Sequence, residues 1–299
     1  MVPQQPWFQR QQLGARYLAL LGCVRWLGGV LLALLLLGAG AISWSAEASP
    51  WKDLDVGFSL AEFEAPGQGN GIRYRLTVVR IDPRYFSLVL FSSKEHDKQR
   101  LTARDWARQY GLLAVINAGM YQADGLTHVS LMKNFKHFNN RRVSNDNTIL
   151  AFNRTDPSYP EVQVIDRECQ DFDSIKSKYE TLIQGIRMIS CDRRNVWSQQ
   201  PDRWSTAALG MDDKGRVLFL FGQYPLSVHD FVEVLLALPI GIRNTMYLEG
   251  GPQASMHISI KGVEVDKKGS LESTVDDSEA LPLAFPIPNV IGVVRKSHP

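Results

Sequence analysis

Three short segments of this 299-residue chain place reactive side chains where an apolar run gives way to glycine. The first is Met246-Tyr247-Leu248-Glu249-Gly250-Gly251-Pro252-Gln253-Ala254-Ser255, with a carboxylate at the end of an apolar stretch and two glycines directly behind it. A carboxyl held at the mouth of a sheet loses water, so its pKa rises and it can give or take a proton near neutrality. The amides of Gly250 and Gly251 are candidates to line an oxyanion site there, with Ser255 close enough to contribute a hydroxyl. The second segment runs through Asn117-Ala118-Gly119-Met120-Tyr121 and closes at Asp124-Gly125. Asn117 could present an amide to a ligand, and Gly119 would let the backbone come close. In the third, Arg203 stands where a strand begins, and its planar guanidinium fork suits phosphate or carboxylate oxygens. Taken singly, each segment also reads as an ordinary turn or a surface ion pair.

One histidine could serve as a further acid or base group. His128 follows the Asn117 loop and is a candidate, whereas His229 falls in the first turn of an expected helix and reads as solvated. No spacing of His and carboxylate calls for a metal. The expectation is therefore no cofactor, with a divalent cation near Asp124 or Glu249 left open.

The elements that must position these residues are mostly strands. Residues 72–81 and 85–91 are β-branched and partly alternating, and read as a hairpin across Asp82-Pro83. Further strands are expected at 112–117, 147–152, 161–165, 205–211, 216–222, 245–249, 255–260 and 290–295, with an ordinary hairpin turn at Asp213-Lys214-Gly215. One helix should start at Thr102, capped reciprocally with Asp105, place Trp106 and Tyr110 on one face and stop at Gly111. A second should start at Ser227, capped with Asp230, and turn Phe231, Val234, Leu235 and Leu238 inward until Pro239. Residues 282–288 are Pro-rich and read as extended, and 261–279 as a long hairpin or flexible loop. Many strands with few helices point to a single α/β (α+β) domain over residues 50–299, a central mixed β-sheet flanked by helices.

Charge and cysteine place this domain. The chain has 33 basic and 31 acidic residues, of which the first 48 hold Arg10, Arg16 and Arg25 against Glu47 alone. The rest is neutral, which argues against a nucleic-acid partner. The 21 uncharged residues 26–46 follow basic residues and precede Ala46-Glu47-Ala48, the order of a secretory signal. Kept uncleaved, they are also long enough to anchor the chain in a membrane. In both cases residues 1–48 form an export segment, and the domain lies outside the cytoplasm, on the periplasmic or extracytoplasmic side. Cys169 and Cys191 are then the two thiols of the exported part, and an oxidising compartment favours their disulfide over two free buried thiols.

Taken in order, Asn117 to Tyr121, Gln184-Gly185-Ile186-Arg187-Met188-Ile189, Arg203 to Gly210 with Lys214-Gly215, and Leu248 to Gln253 resemble the motifs of the phosphodiester glycosidase family, also called uncovering-enzyme-like domains. In bacteria that family includes exported proteins linked to exopolysaccharide. The resemblance spans roughly residues 70 to 296. It implies a cleft built from strand ends and hydrolysis of a sugar-1-phosphodiester to free sugar and phosphomonoester, with a glycan or sugar phosphate as partner. On the matched positions, Glu249 becomes the acid, base or nucleophile, Arg203 and Arg187 the cations facing the phosphate, and Asn117 a ligand to sugar or phosphate oxygen. Glu249 stands where the family carries Asp, about 1 Å longer in reach, and Gln253-Ala254 where it carries Ser. Those departures keep a second reading, a glycan-binding protein of envelope assembly that does not cut its ligand.

Overall fold

The computed structural model describes residues 49–66, 73–271 and 283–297. The expected export segment at 1–48, with its apolar run at 26–46, lies outside the described residues, as does much of the 261–279 stretch. Among the described residues no helix is long and apolar enough to cross a membrane.

The chain opens with strands β1 (Trp51–Asp55), β2 (Phe58–Pro66), β3 (Arg73–Ile81) and β4 (Phe86–Ser92), followed by α1 (Ala103–Tyr110) and β5 (Ala114–Asn117). Next come β6 (Met132–Asn134), β7 (His137–Asn140), β8 (Thr148–Arg154), β9 (Val162–Asp166), the single turn α2 (Phe172–Ile175) and the long β10 (Tyr179–Ile189). The remainder is β11 (Trp204–Asp212), β12 (Val217–Leu226), α3 (Val228–Ala237), β13 (Ile242–Gly250), β14 (Ser255–Ile260), β15 (Val263–Lys268) and β16 (Asn289–Arg295).

These strands form two sheets. The larger runs β1-β2-β3-β12-β11-β13-β10-β6-β7, with β8 also on β10 and β9 on β8; the smaller runs β15-β14-β5-β16-β4. Every pairing is antiparallel. The domain is therefore sheet-rich with few helices, and the expected mixed sheet is replaced by two antiparallel ones. The expected hairpin of residues 72–81 and 85–91 also fails: β3 pairs with β2 and β12, β4 with β16. The turn at Asp82 carries the chain from one sheet to the other, with the Tyr85 and Phe86 amides donating to the Asp82 carbonyl. Each strand turns one side into the same core, β3 burying Leu76 and Val78 on its other side as well, and that pattern does not say which neighbour a strand bonds.

That core lies between the sheets. Val79, Leu209, Phe219 and Met246 of the larger meet Leu90, Ile116, Ile258 and Ile291 of the smaller. At about 1.5–3 kcal/mol for each fully buried large side chain, this layer is the main favourable contribution to folding. Helix α3 covers the outer face of the larger sheet, packing Val228, Phe231, Val232 and Leu235 on Val78, Leu218 and Leu220. The inward set is rotated from the expected one, since Val234 and Leu238 are only half-buried. Helix α1 covers the outer face of the smaller sheet, with Trp106 and Ala107 against Val115 and Val290. Both N-caps form as their sequences require: the Thr102 hydroxyl accepts from the Asp105 amide and Ser227 from Asp230, and Gly111 ends α1 at φ 63°.

Candidate active site

Strand β13 carries Glu249 as its penultimate residue, only 9% exposed. Burial pushes its carboxyl up to about 7, opposed by the Gly250 amide, which donates to Oε1 at 3.1 Å. Two phenols share its surroundings. The hydroxyls of Tyr247 and Tyr121 are both held above their ordinary pKa, first by burial and then by the Glu249 charge. Tyr247 Oη accepts from the Trp204 indole at 3.1 Å, and a side chain at Gly250 would collide with both rings. Gly250 is therefore required by close packing, and its amide is already engaged by Glu249. Gly251 adopts φ +62° and opens a short 3-10 turn, closed where the Ala254 amide donates to the Gly251 carbonyl.

That turn is clipped to the other sheet by Asn117, the last residue of β5. Its Nδ2 donates to the Gln253 carbonyl at 3.0 Å, and its Oδ1 accepts from the Ser255 amide at 2.7 Å. Asn117 is 1% exposed, so both ends of its amide serve the protein backbone and none is left for a ligand. The Ser255 hydroxyl is turned toward the Gln253 carbonyl at 3.2 Å. The clip brings the ends of β13 and β5 together and starts the loop that carries Tyr121.

His128 and Gly119 are partners within that loop. Gly119 has φ +120°, and any side chain there would collide with the His128 ring. His128 is 1% exposed, and burial lowers its pKa to about 4, so the ring is neutral at physiological pH. Its Nδ1 faces Ser130 according to tautomer: protonated, it donates to the Ser130 carbonyl at 2.9 Å; unprotonated, it accepts from the Ser130 amide at 3.1 Å. A buried neutral ring of this kind props the loop and is not the acid or base expected of it.

The two candidate arginines diverge. Arg203 is exposed and directly precedes Trp204, the β11 residue whose indole packs on Gly250. Arg187, in mid-β10, donates through Nη1 to Asp166 at 3.0 Å and to Glu168 at 2.7 Å, so it is engaged by two carboxylates. It is corrected from a phosphate ligand to a structural ion pair. On the same seam Cys169 and Cys191 are joined by a disulfide. With Asp166 they are the three-residue group with metal-ligand spacing among the described residues, and the disulfide removes both thiolates. A cavity of about 670 Å³ lies elsewhere, lined by Leu131, Phe138, Phe172 and Leu182, and includes neither Glu249 nor Asn117.

Sequence reasoning assigned no role to Tyr121, Tyr247 or Trp204. Tyr247 carried a usable signal, two residues before Glu249 on one strand. Trp204 carried none, because its contact with Tyr247 spans 43 residues of sequence.

The model of the phosphodiester glycosidase family matches residues 110–294, from the end of α1 to the last strand. No curated protein matches the chain. Among solved structures, the zebrafish N-acetylglucosamine-1-phosphodiester alpha-N-acetylglucosaminidase catalytic domain, auto-inhibited by its pro-peptide, is similar with a TM-score of 0.58 at 12% identity, over 83% of this chain and 84% of that one. A hypothetical protein from Synechocystis gives a TM-score of 0.55 at 14% identity, over 84% of this chain and 65% of that one. At such identities the likeness is one of fold. The match over well over half the sequence, with that fold beneath it, makes this chain a member of the phosphodiester glycosidase family, enzymes that hydrolyse glycan phosphodiesters.

Proposed function

We propose that the protein is an exported hydrolase that cleaves a sugar-1-phosphodiester, with Glu249 as its acid/base group. The observation that carries the reading is Glu249 itself, a carboxyl buried at a strand end, pushed up to about 7, whose charge acts on two phenols. Near neutral pH it is present in both protonation states, which suits a group that must give a proton and recover it. In this reading the bond between the anomeric carbon and the phosphate oxygen breaks and Glu249 protonates that oxygen. Water adds to the anomeric carbon and its proton returns to Glu249, leaving free sugar and phosphomonoester. Arg203 supplies positive charge toward the phosphate. Asn117, Gly119 and Ser255 hold the walls, and no cofactor is invoked. The disulfide and the apolar run at 26–46 support export.

The test is release of free sugar from a UDP-linked N-acetylhexosamine by wild type, Glu249→Gln and Arg203→Ala. Glu249→Gln should lower kcat by about 100-fold or more, and Arg203→Ala should raise KM by about tenfold. Saturable binding without turnover in wild type would replace the hydrolase with the glycan-binding reading that Glu in place of Asp first suggested.

A further inference from the structure

A phosphodiester bound at Glu249 needs cations on its phosphate side, and Arg187 is not one of them. Arg100 is. It is exposed, and among the described residues no carboxylate pairs with it. Its Nη1 lies 3.0 Å from the point a Cβ would occupy on Gly125, which has φ +71°, so glycine there leaves room for the guanidinium. The loop beneath it is tightly closed. The Gln122 amide donates to the Thr127 carbonyl at 2.7 Å, and the Gly125 amide to the Gln122 carbonyl at 2.9 Å. The acid of that loop, Asp124, is turned onto the amides of Leu126 and Thr127 at 2.9 and 2.8 Å and onto the Thr127 hydroxyl, so its charge is satisfied within the turn. The root of the same loop is Asn117, pinned to Gln253 and Ser255 just beyond Glu249. Tyr121, in the same loop and bridged to His128, interacts electrostatically with both Glu249 and Arg100.

We propose that Arg100 and the Tyr121 hydroxyl form the phosphate-side wall of the Glu249 cleft and receive the non-bridging oxygens of the phosphodiester. The proposal rests on the reading of the site as a sugar-1-phosphodiester hydrolase. A guanidinium keeps its charge at any working pH and offers paired N–H donors to two phosphate oxygens, and a phenol adds a third donor. The wall explains why the loop tip is shaped by glycine and why the Asp124 carboxylate is turned back onto the turn's own donors.

The experiment uses the full-length protein, with UDP-linked N-acetylhexosamine as substrate and the corresponding free sugar as a competitive inhibitor. Arg100→Ala should raise KM by about tenfold and leave the Ki of the uncharged sugar unchanged, with Arg100→Lys in between. Tyr121→Phe should move KM in the same direction by less. An unchanged KM, or a KM and sugar Ki that rise together, overturns the wall. If wild type does not turn the diester over, the hydrolase reading falls. The wall is then judged by binding of the sugar 1-phosphate, followed by tryptophan fluorescence: a Kd weakened by Arg100→Ala upholds it, and an unchanged Kd overturns it.

Discussion

At the residue scale the site depends on one carboxyl kept away from water. Glu249 is held at about 7 in the folded protein, against about 4.3 in an unfolded chain. The fold therefore prefers the protonated form, and that preference is fully available below the unfolded value and lost as pH rises through 7. A difference of this size corresponds to about 3 kcal/mol of stability forgone at pH 8. Glu249→Gln removes the ionisation, so it should stabilise the protein by about 2–3 kcal/mol at pH 8 and change almost nothing at pH 4. Thermal melts of both proteins across that range check this, and parallel curves would show the carboxyl to be solvated. In the proposed reading the same group sets the rate. If Glu249 must be protonated to serve the leaving oxygen, kcat should fall above a limb near pH 7, and a flat profile to pH 9 would remove it from that role.

At the scale of elements, the proposed site is built from two strand ends of different sheets, β13 and β5, and Asn117 is the clip. Asn117→Ala leaves the Ser255 amide without its partner inside the protein and the Gln253 carbonyl with the Ser255 hydroxyl alone. The loss should be about 2–3 kcal/mol by denaturant titration, accompanied by a fall in kcat as the turn behind Glu249 loosens. A stable variant with unchanged kcat would show that the turn holds its shape unaided. Asn117 stood out in the sequence by type and by its place at a strand end, but the backbone groups it binds lie 136 and 138 residues away. Only the pairing of sheets reveals its role. Local information was enough for α1 and α3, because caps and helical periods are written within a few residues. It was not enough for β10, the strand that joins β13 to β6 and β8. Its sequence YETLIQGIRMI mixes Glu, Gln, Gly and Arg, and the buried Gln184 is satisfied by the Ser144 and Asp146 carbonyls rather than by any feature of its own segment. The buried polar Thr181 obscures the pattern further, since its partners are Asn134 and Asn153 on neighbouring strands.

For the molecule as a whole, the far side of the larger sheet is closed by chemistry as well as packing. Cys169 follows β9 and Cys191 follows β10, and their bond bridges 22 residues of sequence. Beside it Asp166, fully buried, accepts from the Cys191 amide at 3.0 Å and from Arg187 at 3.0 Å, so the covalent link and the ion pair fasten the same seam. Breaking a buried pair on one side leaves an uncompensated charge, so the seam stays ordered only while both cysteine-bearing loops remain docked. A loop of this length restricts the unfolded chain enough to contribute about 3 kcal/mol. For a domain of this size that corresponds to a fall of roughly 6–12 °C in Tm when both cysteines are replaced by serine. Reductant should produce the same fall in the wild type and none in the double variant. A wild type whose Tm ignores reductant would mean that the thiols are not joined in the working protein. In that case the oxidising compartment inferred from them loses its structural support, and only the segment at 26–46 still argues for export.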